Sequence, residues 1–214
     1  MGTRRVLCLT LYAVAFGFLE AAVVVYLREL YYPEGFHFPL VLLPERIASI
    51  EMVRELTTMI MLLAVAVLAG SDRVERFFAF GYLFGVWDVT CYIGLRAFVG
   101  WPASLFTWDV LFLIPVPWLG PVLYPVLVSV LLIVGFLTHE TLRRRNRALR
   151  PVRREWVVAS VGAILVVISF CWNWRTVQQG TVPTSFPVAL FAVGLLAGAL
   201  PFVRAAYRAT TTRT

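Results

Sequence analysis

Apolar residues run almost unbroken through six stretches of the chain: approximately Val6 to Leu27, Ile47 to Ala69, Phe77 to Val99, Pro121 to Thr138, Trp156 to Trp174 and Phe186 to Val203. A helix needs about 20 largely apolar residues to cross a bilayer, and these runs have that length. In lipid only helices and closed barrels satisfy the backbone, and the runs are too uniformly apolar to alternate as barrel strands. The pattern predicts an all-α fold, a single transmembrane domain over residues 1–214 built as a polytopic bundle of about six spans. Outer connections are expected at 28–46, 100–120 and 175–185, and a basic inner loop at 139–155.

One stretch departs from a simple span. Asp109 to Thr138 covers 30 residues, about 45 Å as continuous helix against a hydrocarbon core of about 30 Å. Pro115, Pro117, Pro121 and Pro125 interrupt it, with Trp118 and Gly120 between them. The piece from Leu111 to Trp118 is therefore expected to lie in the outer interface or to dip into the membrane and return, which requires protein or water around its backbone. The connection from Tyr31 to Arg46 is also aromatic and proline-bounded, and the two segments together would form a lid over the outer end.

Composition supports this class. Of 214 residues 60% are hydrophobic and 14% charged, with mean hydropathy +0.82, far from the roughly 25% charged content of soluble domains. The net charge is +7 and all 19 basic residues are arginine. With the amino terminus inside, fourteen arginines fall on the cytoplasmic side and five on the other: Arg28, Arg46, Arg54, Arg96 and Arg175. The positive-inside rule then places both termini in the cytoplasm. The Arg143 to Arg154 loop reads as a topology anchor in contact with anionic lipids, not as a nucleic-acid site. Arg4 and Arg5 precede a full-length span, so an uncleaved first helix fits better than a twin-arginine signal.

Acidic residues inside the spans carry the chemical information. Glu20 lies in the first, Glu51 and Glu55 in the second and Asp88 in the third, while Asp109 opens the proline-rich segment. An Asp at a helix centre costs about 2.5 to 3.5 kcal/mol on insertion scales, so such groups usually face the bundle interior. Gly81, Gly85, Asp88, Tyr92 and Arg96 fall on one stripe about 80° wide at 100° per residue. Its two glycines permit close approach of a neighbouring helix. Glu51, Glu55 and Thr58 share a face of the second span, with Arg54 spaced to pair with Glu51. Glu20, Glu55 and Asp88 come out roughly 10 to 17 Å below the outer surface.

These positions predict an outward-facing polar pocket. Glu20, Glu55 and Asp88 are its candidate catalytic groups, and Glu51, Arg54, Tyr92, Arg96, Trp108 and Asp109 its candidate substrate-binding groups. Two arginines oppose five acids, so either some carboxyls are protonated or a cation completes the site. A purely structural reading stands beside this one, with Glu51 and Arg54 as an interfacial ion pair, Asp109 as a cap and Arg96 snorkelling to the surface. His37 reads as an interface residue, and the tryptophans largely as interface belts.

Cofactor motifs are absent from the sequence. No haem, zinc or nucleotide motif occurs, and a metal held by these carboxylates would be Mg²⁺, Ca²⁺ or Mn²⁺. Cys8, Cys91 and Cys171 lack metal-knuckle spacing; Cys91 and Cys171 fall at depths that permit a disulfide, and free thiols are favoured over it.

The segments Ala21 to Leu40, Trp87 to Arg96 and Gly100 to Pro121 resemble bacterial polytopic integral membrane proteins. The distinctive part runs from Gly100, Trp101 and Pro102 through Trp108 and Asp109 to Pro115, Pro117 and Trp118. The resemblance implies a bacterial inner membrane and carries no activity.

Three functions fit the residues. A membrane enzyme or binding protein for a lipid or isoprenoid-like substrate would use one carboxyl as general acid, another as base and the arginines for an anionic group. A small proton- or cation-coupled transporter would use the same carboxylates as its ion site. A structural or assembly subunit would present its polar stripe to another membrane protein. The enzyme or binding reading is the first expectation, and the other two are its alternatives.

Overall fold

The computed structural model describes residues 2–211. Helices α1 (Gly2–Tyr31), α2 (Glu45–Ala69) and α3 (Arg73–Val99) come first. Strands β1 (Trp108–Phe112) and β2 (Trp118–Pro121) follow, then α4 (Leu123–Arg144), α5 (Arg153–Cys171), the short α6 (Trp174–Gln178) and α7 (Val188–Thr211). Asp72 caps α3 by accepting the Val74 and Glu75 N–H groups at 2.8 and 2.9 Å, which meets donors that a helix start leaves open. Gly100 ends α3 in the left-handed region at φ 67°, a conformation glycine adopts without steric cost.

Six helical stretches are long and apolar enough to cross a membrane, the fifth running from Arg153 through α6 to Gln178. The protein is an all-α bundle with one small hairpin. α3 is its central helix, since half of its apolar stretch is buried inside the protein against 22% in α1 and α2. α1, α2 and α4 pack around α3, while α5 and α7 form a pair joined to the rest through α4 and β2.

Between apolar helices in lipid the drive is packing and hydrogen bonding, because lipid tails are as apolar as the side chains. Two glycines let the backbones approach. A Cβ at Gly17 would stand 2.5 Å from the Trp87 carbonyl oxygen, and one at Gly85 would stand 2.6 Å from that of Ser129. The close approach expected beside Gly81 and Gly85 is thus made by α4. Toward the other end of the helices the core is built of larger residues: Leu62, Phe78, Tyr82, Leu83 and Phe136 are buried. Tyr82 and Phe136 stack at 4.4 Å, and the Tyr82 and Thr10 hydroxyls lie 2.7 Å apart.

The proline-rich segment returns as an antiparallel hairpin. Trp108 pairs with Pro121, Asp109 with Gly120 and Val110 with Leu119, after which the register shifts before Phe112 and Trp118. Leu119, Gly120 and Pro121 are buried, with the Phe170 and Phe186 rings against Gly120 and Trp118 stacked on Phe170. Phe36, in the connection between α1 and α2, makes ring contact at 5.7 Å with Trp101, in the connection between α3 and β1.

At the opposite end, arginines and acids of three helices interlock. Arg5 reaches Glu75 at 3.4 Å and Glu140 at 3.6 Å, while Arg143 reaches Glu140 at 2.9 Å and Glu75 at 3.6 Å. Glu155 accepts the Val152 N–H and both terminal nitrogens of Arg208, which ties the start of α5 to the end of α7. All three cysteines are free, with Cys8 exposed on the outside of the bundle.

The glycine contacts set an expectation for mutagenesis. Gly85→Ala should lower thermal stability in detergent by about 1 to 3 kcal/mol, the usual range for overpacking. Gly198→Ala meets open space, so its melting temperature should stay level or rise, helix propensity favouring alanine. Equal melting temperatures for Gly85→Ala and the parent chain would remove the close approach as a determinant of α3–α4 packing.

Candidate functional site

The acids of the spans meet around the hairpin end of α3. Arg54, on α2, is the first junction: its Nη1 donates to Glu20 Oε1 of α1 at 2.5 Å and its Nε to Glu51 Oε2 at 2.8 Å. Two carboxylates from different helices thus share one guanidinium, whose fork geometry suits such bridging. Glu55, one turn beyond Glu51, faces the hairpin. Both of its oxygens accept from the Leu113 backbone N–H, at 3.0 and 2.9 Å, and among the described residues no guanidinium lies within ion-pair distance of it.

Asp88 follows Trp87 on α3. Its Oδ2 accepts from the Ser129 hydroxyl of α4 at 2.7 Å, across the contact that Gly85 makes possible. Tyr92, one turn further along α3, donates to Asp109 Oδ2 at 3.1 Å. Asp109 is buried on β1, and Arg28 Nη2 donates to its Oδ1 at 3.2 Å. Burial pushes the Asp109 carboxyl up from its ordinary value, and the Arg28 guanidinium pulls it back. Arg28 is itself held between rings, 3.6 Å over Trp101 and 4.4 Å over Phe36, a desolvated cation–π arrangement.

Of the residues singled out in the sequence, Glu20, Glu51, Arg54 and Glu55 form one contiguous group, and Asp88, Tyr92 and Asp109 line the α3 side. Arg96 and Trp108 are placed elsewhere. Arg96 is exposed and donates to the Gly100 and Pro102 carbonyls, satisfying acceptors beyond the end of α3. Trp108 alternates with Asp109 along β1, so its ring faces the other way and lies edge-on to Phe186. Arg28 supplies the charge expected of Arg96. Its signal was available, since it lies in the last turn of the first span. Ser129 was legible as a lone hydroxyl midway through an apolar run. The Leu113 N–H carried no sequence signal, because every non-proline residue has one.

Between Glu20 and Glu55 lies a cavity of about 20 Å³, bordered also by Arg54, Thr58, Trp87 and the hairpin residues Leu111 and Phe112. That volume holds about one water. The Trp87 Nε1 is buried without a hydrogen-bond partner among the described residues. Five acids, Glu20, Glu51, Glu55, Asp88 and Asp109, face two guanidiniums, Arg28 and Arg54, and the two acids without an arginine are Glu55 and Asp88. Among the described residues no three His, Cys, Asp or Glu side chains come together in a way that could hold a metal ion.

Two expectations follow for this site. Arg54→Gln, which strands Glu20 and Glu51 together, should cost about 3 to 5 kcal/mol of stability, as removal of one partner from a buried pair does. Glu55→Ala should speed hydrogen exchange of the Leu113 amide, since an unmet buried donor costs about 1 to 3 kcal/mol. Glu55→Gln keeps an acceptor but loses the charge that strengthens the bond, so its exchange should fall between that of the parent chain and that of Glu55→Ala. Unchanged protection in Glu55→Ala would show that the carboxylate does not anchor the hairpin.

No family model, curated protein or solved structure matches the chain.

Proposed function

We propose that this membrane protein carries a proton-binding site at Glu55 and couples its protonation to transport, ahead of the lipid-enzyme reading. The observation that carries this is the water-sized cavity against a carboxyl with no guanidinium partner. A proton or a water fits there, whereas a lipid headgroup does not. The guanidiniums that an anionic substrate would need are occupied, Arg54 by Glu20 and Glu51 and Arg28 by Asp109. A proton is favoured over a divalent cation because the described carboxylates are distributed among separate partners rather than gathered as a ligand set.

The mechanism follows from hydrogen-bond chemistry. An ionised Glu55 accepts the Leu113 N–H as a charge-assisted bond, roughly twice as strong as a neutral one. A proton arriving through the cavity neutralises the carboxyl and weakens that bond, so the hairpin is held less firmly. Re-ionisation restores the anchor. Proton occupancy thereby biases the hairpin between two states, which is what a coupled gate requires. Asp88, held by Ser129, is the second carboxyl available to such a path.

The wider placement belongs to the same reading. The arginine asymmetry of the sequence supports cytoplasmic termini and a carboxylate site that opens outward, and the resemblance to bacterial polytopic membrane proteins supports a bacterial inner membrane. The basic loop then lies against anionic lipid.

Reconstituted vesicles test the proposal. With the full chain in liposomes containing a pH-sensitive dye, an imposed proton gradient should acidify the lumen faster than in protein-free liposomes. Glu55→Gln should return the rate to background, while Arg175→Gln should leave it intact. Background rates for the parent chain, or equal rates in Glu55→Gln, would overturn the assignment.

A further inference from the structure

The end of the bundle away from the hairpin holds a second and larger cavity, of about 640 Å³, within the range of small-molecule sites. It opens between the start of α3, the end of α4 and the loop that leads to α5. Its most informative wall is His139. This side chain is only 6% exposed, and its ring stacks on Phe78 at 4.8 Å and 11°. Neither ring nitrogen has a hydrogen-bond partner among the described residues. A buried imidazole with both nitrogens unmet is costly, and among the described residues His139 is the one such side chain that borders this cavity.

The charges around it are unequally committed. The acids on the wall are engaged within the protein. Asp72 accepts the Val74 and Glu75 N–H groups, and Glu75 accepts the Ser71 N–H and pairs with Arg5 and Arg143. Arg147 donates through Nη1 to the Ala209 and Thr210 carbonyls. Arg150 lines the cavity with no hydrogen bond or ion pair among the described residues. The unspent groups on the wall are thus the Arg150 guanidinium, the His139 imidazole and the Asn146 amide, with the remaining nitrogens of Arg147 beside them. Guanidinium forks match phosphoryl oxygens, and an imidazole can donate to one such oxygen while its other nitrogen accepts a ligand hydroxyl.

We propose that this cavity binds a phosphoryl-bearing anion, held by Arg150 and His139. Two sources offer that chemistry: the headgroup of an acidic phospholipid and a soluble phosphate ester. The site is independent of the proton site at the other end, so either can fail without the other.

Native mass spectrometry of the full chain, purified in detergent and stripped of lipid, tests it. Phosphatidylglycerol, phosphatidylcholine with the same acyl chains, inorganic phosphate and glycerol 3-phosphate are titrated separately. Saturable one-to-one binding of at least one anion is expected, with phosphatidylcholine much weaker. Binding of phosphatidylglycerol alone identifies a lipid headgroup, and binding of the soluble esters identifies a soluble ligand. Losing one charged hydrogen bond should weaken affinity about tenfold in Arg150→Gln and in His139→Gln, while Glu55→Gln and Arg175→Gln retain the parent affinity. Arg150 is exposed on its loop, so Arg150→Gln should fold even if His139→Gln does not. Failure of every anion to bind at one site, or unchanged affinity in folded Arg150→Gln, overturns the proposal.

Discussion

Irregular backbone in a low-dielectric setting must find a partner for every N–H and C=O it exposes, and the hairpin between α3 and α4 is where this chain meets that constraint. The strands satisfy much of it through their own ladder, but Leu113 lies beyond the paired residues. Its N–H is met by Glu55. A carboxylate on a helix is an expensive way to supply an acceptor, since a serine or a backbone carbonyl would be cheaper to bury. Its presence makes the anchor of the hairpin responsive to charge, and the remaining acids are arranged around that point.

The arginines show a division of labour. Arg54 and Arg28 each sit where a carboxylate would otherwise be uncompensated, and each bridges elements distant in the chain: α1 with α2, and α1 with β1. Arg28 also joins the two aromatic connections, through Phe36 and Trp101. At the other end the ion pairs form a network in which Arg5 and Arg143 both reach Glu75 and Glu140. There the charges lock helix ends together, whereas around the hairpin they leave two acids without a cation.

Hydropathy made the six helices legible because each span must be apolar over a fixed length, and charges inside the spans stood out against that background. Pairing of Glu51 with Arg54 was legible from a spacing of three residues on one helix, and contact beside Gly81 and Gly85 from their size. Long-range partners were harder. Arg28 and Arg96 both occupy the last turn of a helix, and only the path of the hairpin decides which of them meets Asp109. The hairpin was foreseen as an excess of length with prolines, not as strands, because the rings packed against Gly120 come from Phe170 and Phe186, distant in the chain. His139 gave no periodic signal at all; its interest lies in what fails to touch it.

The contact between Glu55 and Leu113 also has an order in time. A chain made from its amino terminus presents α1, α2 and α3 before residues 108–121 emerge, so the acceptor for the Leu113 N–H can be in place when the hairpin is made. The aromatic floor under Gly120 arrives later, with Phe170 and Phe186. The first three helices are therefore available as a template for the hairpin, and the residues of the α5–α7 pair are made after it. A hairpin that depended on acceptors from α5 or α7 would have to wait in lipid with its backbone unmet. Placing its acidic anchor upstream avoids that interval.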